Sequence, residues 1–211
     1  MAKVPRQPSR RKLAALDPEV ATLDAGSLVW RVYFRAGQYP TRWNDFRYVG
    51  PAATARFDHH EGDSPTPQNR GVLYVAADAI SCFAEVFQRT RVIGRRHAMP
   101  ALVAFETATP LQLLDLTGSF ATRAGASMGL ITGPRSVGRT WARAFYEAWP
   151  DLAGLRYPPG MYANRTQFVF NERARTPDVL PERPVFHHEL RDPALLPVLK
   201  GIAAELGYAL A

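Results

Sequence analysis

Alternation of apolar and polar residues is sharpest in Leu28-Val-Trp-Arg-Val-Tyr-Phe-Arg. On a strand this puts Trp30, Val32 and Phe34 on a core face and Arg31, Tyr33 and Arg35 on the other. Further strands are predicted at 72–76, 102–106, 111–116, 154–158, 167–171 and 185–190. Helical spacing appears at 79–89, 139–149 and 194–207. In the first helix Asp78 is the N-cap, and Ile80, Phe83, Ala84 and Phe87 form the buried stripe. In the second, Trp141, Phe145, Ala148 and Trp149 read as core. In the third, Asp192 caps, Pro193 takes the first helical position, and Leu195, Leu196, Leu199, Ile202, Ala203 and Leu206 form a stripe. That stripe either docks on the body or forms a partner interface, a homodimer among the options. A short helix is expected over Leu13–Asp24, and disorder over residues 1–12. Strands mixed irregularly with few helices predict an α+β fold rather than a doubly wound sheet.

Composition narrows the class. A chain of 211 residues, 46% hydrophobic, fits a single domain with a sizeable core. No apolar run is long enough to cross a bilayer, and no apolar stretch follows the basic start as a secretory signal would, so a cytoplasmic location is expected. The single cysteine, Cys82, excludes an internal disulfide and sits beside the core stripe, where a buried, inert thiol is expected. The net charge is +7, but Lys3, Arg6, Arg10, Arg11 and Lys12 precede any acid. Removing those five from the 26 basic residues leaves 21 against 19 acidic ones, so the body is near neutral. A basic tail of this kind is usually solvated, and no signature of a dedicated nucleic-acid module accompanies it.

Core packing does not account for Glu85. At about 100° per residue it falls on the flank of the first helix, where most glutamates are simply solvated. Upstream, Arg31 and Tyr33 pair a planar guanidinium fork with an aromatic face, although such pairs are more often a solvated sheet face. Tyr74 shares a strand face with Val72 and Ala76, which also suits a core tyrosine. The pairs His59-His60 and His187-His188 look metal-like, but adjacent strand residues point to opposite faces. Asp58, His59, Glu61 and Asp63 lie in the Pro-rich loop Gly50–Pro67 and are expected to be a polar surface loop, with no metal. Gly133-Pro-Arg-Ser-Val-Gly lacks the Gly-Lys-Ser/Thr ending of a phosphate-binding loop.

The ordered series WRVY, ARFD, GVLYVA, CFAEVF, LLDLTG, RTWARAFYEA and GLRYPP resembles the RES domain, the toxin half of RES–Xre toxin–antitoxin pairs. The resemblance runs from about Ser27 to about Ala174. It implies a basic extension over 1–26, a RES domain over 27–192 and a C-terminal helix packed on it over 193–211. It also implies an ADP-ribosyltransferase-like split mixed sheet in one domain, whose cleft binds NAD as substrate, and an Xre-like antitoxin as partner. By position, Arg31 and Glu85 match the family's arginine and glutamate. Glu85 would stabilise an electron-poor ribose as nicotinamide leaves, and Arg31 would clamp a phosphate. Tyr33 and Tyr74 would pack the nicotinamide or its ribose, and Arg56 would be a second anion contact. The family's serine follows a tyrosine in this region, where Pro159 and Gly160 stand here without a hydroxyl; Tyr162, Asn164 and Thr166 are the nearby polar groups. NAD hydrolysis or phosphorolysis, ADP-ribosylation of a protein, and a catalytically impaired binding module all stay open on these residues.

Overall fold

The structure is a computed structural model that describes residues 9–162, 164–176 and 178–211. The chain first forms α1 (Arg10–Ala14), β1 (Val20–Leu23), β2 (Leu28–Phe34), β3 (Arg47–Gly50), β4 (Thr66–Ala76) and α2 (Ala79–Val86). There follow β5 (Val92–Ile93), β6 (Pro100–Glu106), β7 (Leu111–Asp115), α3 (Phe120–Arg123), α4 (Gly129–Thr132) and α5 (Arg135–Ala148). The remainder is β8 (Gly154–Tyr157), β9 (Gln167–Asn171), β10 (Phe186–Glu189), α6 (Leu196–Leu206) and β11 (Ala209–Leu210). A large mixed sheet runs in the order β1-β7-β8-β9-β4-β2-β6-β10, with β3 paired to β4 off this path. Only β7 and β8 pair parallel within it. The α+β expectation holds: helices flank one mixed sheet in a single domain.

The sheet is split between β2 and β4. Their register contains one pair, Trp30 opposite Ala76. Farther along, β4 takes β3 as its neighbour instead, with Arg47 opposite Val72. Strand β2, meanwhile, stays in full register with β6 from Leu28 to Phe34. Two strands that meet at one end and part at the other leave a wedge, and this wedge positions the site.

Alternation along the strands divides the core. Leu73, Val75, Leu113, Phe168 and Phe170 pack on one sheet face. Val72, Leu114 and Val169 point the other way, against Trp141 and Phe145 of α5. A third cluster joins Phe83 and Phe87 to Leu199, Ile202 and Ala203, so the apolar stripe of α6 docks on the body beside α2. Asp78 caps α2 as expected, accepting from the Ser81 N–H at 2.8 Å. Cys82 is buried and donates to the Trp30 carbonyl.

The N-terminal expectations need correction. The segment 13–24 is not one helix: α1 ends at Ala14, and Val20–Leu23 pairs antiparallel with β7. Asp17-Pro18 explains the break, because proline disfavours helix in the residue before it and removes a donor. Lys3 and Arg6 lie outside the described residues, but Arg10, Arg11 and Lys12 are helical, and Leu13 is fully buried against the α5 cluster. Nor is the stretch around Asp58 a surface loop. Asp58, His59 and His60 are all buried, whereas Glu61 and Asp63 are exposed. Asp58 accepts from Arg47 at 2.8 Å, from the Ala52 N–H at 2.6 Å and from the His60 ring. Burial opposes its charge, but these donors outweigh burial and hold its carboxyl well below the usual carboxylate range. No group of three or more metal-ligating side chains gathers among the described residues.

Candidate functional site

The wedge opens into a cleft of about 680 Å³, within the size range of small-molecule and cofactor sites. Arg31, Arg56, Tyr74 and Glu85 all line it, although 54 residues separate the first from the last. Strand β2 supplies Arg31 and β4 supplies Tyr74, one from each side of the split. Glu85 comes from the last turn of α2, which starts directly after β4.

Glu85 is held on both carboxylate oxygens. Its Oε1 accepts the backbone N–H groups of Gly160 at 3.0 Å and Met161 at 3.2 Å. Its Oε2 accepts the Gln88 amide at 3.1 Å, and that same amide donates to the Glu85 carbonyl at 2.7 Å. A carboxylate has about four acceptor sites, so the spare capacity lies mainly on Oε2. Gln88 in turn accepts from Arg135 at 2.9 Å, which gives a relay from the start of α5 to the carboxylate.

Guanidinium groups supply the other charges of the lining, with Arg31, Arg47, Arg56 and Arg135 all present among mainly apolar neighbours such as Val32, Val75 and Ile131. Arg47 is neutralised by Asp58. Arg31 has one nitrogen, Nη1, committed to the carbonyls of Trp43 at 2.6 Å and Asp45 at 3.2 Å. Burial pulls its pKa down to about 10, with Asp45 opposing, so it stays charged at neutral pH. Arg56 donates to the Gly133 carbonyl at 2.6 Å. Burial and then the nearby Arg135 lower its pKa, while Glu85 raises it. Gly138 of α5 makes room for this wall, since a Cβ there would meet Arg56 Cγ at 2.5 Å and its carbonyl oxygen at 2.7 Å. Glu85 is the single carboxylate among the cleft-lining residues.

Two phenols, Tyr74 and Tyr157, also line the cleft. The Tyr74 hydroxyl is buried and makes no hydrogen bond within the described residues. Burial raises its pKa well above the ordinary value, and Asp58 adds to this. Tyr157 is 6% exposed, packs edge-on against Phe57 and is likewise pushed up by burial. Both phenols stay protonated at neutral pH.

Tyr33 is the expected pocket residue that does not join the others. It is buried, and its hydroxyl reaches over β6 to bond His187 of β10 at 2.6 Å, away from the split. Strand alternation does put it on the Arg31 face, and the Arg31 guanidinium lies 5.8 Å from its ring centroid. The lean of the side chain toward the outer strand takes it out of the cleft.

The lining residues that escape the sequence reading include Arg47, Gln88, Arg135 and Tyr157. A signal existed for Gln88, three residues after Glu85 on the same helical flank. For Arg135 there was a weaker one, since it opens a periodic helix straight after Gly133-Pro134. Arg47 and Tyr157 come from distant strands, and nothing local marks them.

Several comparisons bear on these features. No curated protein matches the chain. A chain of the crystal structure of the M. tuberculosis MbcT–MbcA toxin–antitoxin complex superposes with a TM-score of 0.54 at 17% identity, covering 91% of this chain and 96% of that one. At that identity the likeness speaks for the fold. The family model of the RES domain matches residues 28–191, from the start of β2 to just beyond β10, a span that contains the split sheet and every cleft residue named above. The chain therefore belongs to the RES domain family.

Proposed function

We propose that the chain is a RES-type toxin that degrades NAD by cleaving its nicotinamide–ribose bond, and that an Xre-like antitoxin neutralises it in the cytoplasm. The observation that carries this reading is one oriented carboxylate, Glu85, in a largely apolar cleft that also presents four guanidinium and two phenol groups. A dinucleotide presents the complementary set: a pyrophosphate for the arginines, flat rings for the tyrosines, and a ribose that becomes electron-poor on cleavage.

In the reaction, the C1′–N bond breaks and its electron pair leaves with nicotinamide, cancelling the pyridinium charge. The oxocarbenium-like ribose left behind is captured by an acceptor oxygen, which gives up its proton. Glu85 Oε2, with acceptor capacity to spare, takes a hydrogen bond from a ribose hydroxyl that strengthens as positive charge develops. The Gly160 and Met161 amides keep the carboxylate aimed, so it needs no reorganisation when the bond breaks. Arg31 and Arg56 hold the phosphates, and Tyr74 packs the nicotinamide or its ribose. NAD enters as substrate, and no resident cofactor is required.

The absence of a hydroxyl at Pro159 and Gly160 favours one second reading, an impaired cleft kept for binding a nucleotide or antitoxin. Incubating purified protein with NAD, with and without phosphate or cell lysate, and measuring free nicotinamide separates the two. Release without a labelled protein means hydrolysis or phosphorolysis, and release with labelling means protein ADP-ribosylation. Binding without release means the second reading is the right one.

A further inference from the structure

The RES match ends at residue 191, yet the segment beyond it reaches the neighbours of Glu85 from two sides. From one side, the buried hydroxyl of Tyr208 donates to the Ala84 carbonyl at 3.2 Å. Ala84 lies in the last turn of α2, where carbonyls lack intrahelical partners, so this bond ties down the turn that carries Glu85. The Tyr208 ring is itself fixed, buried in the α2–α6 cluster and covered by the Arg91 guanidinium at 5.1 Å. From the other side, Glu205 of α6 accepts the hydroxyl of Tyr162, the residue next to Met161. Gly160 and Met161 are the two residues whose N–H groups hold Glu85 Oε1. One C-terminal segment, the end of α6 and the residues just after it, thus braces both the helix turn bearing the carboxylate and the loop that aims it.

We infer that Tyr208 and the Glu205–Tyr162 pair are positioning residues for Glu85, an inference that rests on the proposed cleavage of NAD. None of the three lines the cleft, so none touches substrate. Loss of either brace lets the carboxylate or its amide donors drift, which weakens transition-state stabilisation while the phosphate contacts of Arg31 and Arg56 remain.

Two measurements test this on the full-length protein. In steady-state nicotinamide release, Tyr208→Phe and Tyr162→Phe each lower kcat about three- to tenfold and leave KM for NAD within about twofold, the scale of one hydrogen bond. Glu205→Gln, which keeps an acceptor oxygen, retains activity, whereas Glu205→Ala falls as far as Tyr162→Phe, and the double variant Tyr162→Phe/Glu205→Ala falls no further. The second measurement is hydrogen exchange at the Gly160 and Met161 amides without NAD, where Tyr162→Phe exchanges faster than wild type. An unchanged exchange rate in that variant, or a rise in KM with kcat unchanged, overturns the inference. If wild-type protein releases no nicotinamide, the proposed reaction fails, but the exchange result still decides whether the brace exists.

Discussion

Glu85 Oε1 and the Gly160 backbone N–H lie 3.0 Å apart, across 75 residues of chain. This contact ties the helix of Glu85 to the Pro159–Gly160 segment, and it shows what stands there: a backbone donor facing the carboxylate. A Cβ built on Gly160 would sit 3.7 Å from the Ile131 carbonyl and 3.9 Å from Glu85 Oε1, both ordinary contacts. Gly160→Ser is therefore expected to fold normally, with stability within about ±0.5 kcal/mol of wild type by chemical denaturation. Its hydroxyl would lie within reach of Glu85, so nicotinamide release should be kept or raised. A large loss of stability would mean that the loop does not run as described.

Gly138 shows the opposite case. Alanine in mid-helix normally gains about 1 kcal/mol over glycine. At this site its Cβ would collide with backbone and side chain of Arg56. Gly138→Ala should therefore destabilise by about 1–3 kcal/mol and raise KM for NAD, because the Arg56 wall must shift. Thermal melting and steady-state kinetics together check both parts.

Leu13 is fully buried in the α5 cluster although it follows a basic stretch that looks like a tail. Leu13→Ala should cost about 2–5 kcal/mol, the range for a core leucine. Substituting alanine at Arg10, Arg11 and Lys12, which are exposed, should cost little. Urea denaturation of the two variants distinguishes a docked helix from a dispensable extension.

Acid stability should depend on Glu172. Burial raises its pKa, but the His59 ring 3.5 Å away, together with hydrogen bonds from Tyr146 and the Gly71 N–H, outweighs this and brings it down to about 2. A carboxylate depressed from 4.5 to about 2 contributes stability that is full above 4.5 and is lost as pH falls toward 2. Burial lowers the pKa of neighbouring His59, which must charge as the protein unfolds in acid and so acts in the same direction. Glu172→Gln should be less stable than wild type at pH 7, and the difference should shrink between pH 4.5 and 2, as read from denaturation midpoints across pH.

The elements that the sequence displays most clearly are those with strong periodicity and a cap. Strand β9 matches its predicted span of 167–171, and α2 starts where Asp78 says it should. The short strands β1 and β3 carry too few residues to show a period, and each is stabilised by a distant partner, β7 and β4 respectively. For the cleft, alternation puts Arg31 and Tyr33 on one strand face but is silent about which way each side chain leans. Tyr33 goes to His187 because β2 pairs fully with β6 on that side and barely with β4 on the other. Asp58 reads as a surface polar residue because its partners, Arg47 and the Ala52 N–H, are visible only once the loop is folded. The basic lining of the cleft is equally non-local, since Arg31, Arg56 and Arg135 come from three separate elements.

The central claim is that Glu85 acts as a charge-stabilising carboxylate in NAD cleavage, and Glu85→Gln tests it most directly. The variant keeps the size of the side chain and an oxygen for the Gly160 and Met161 amides, so the fold should persist. The measurement is free nicotinamide released from NAD by wild-type and variant protein at matched concentration. The account predicts release by wild type and a fall of about 10²–10³ in the variant, the scale of losing one preorganised electrostatic group. Equal rates in the two proteins, or no release by wild type with water, phosphate or lysate protein as acceptor, would contradict it.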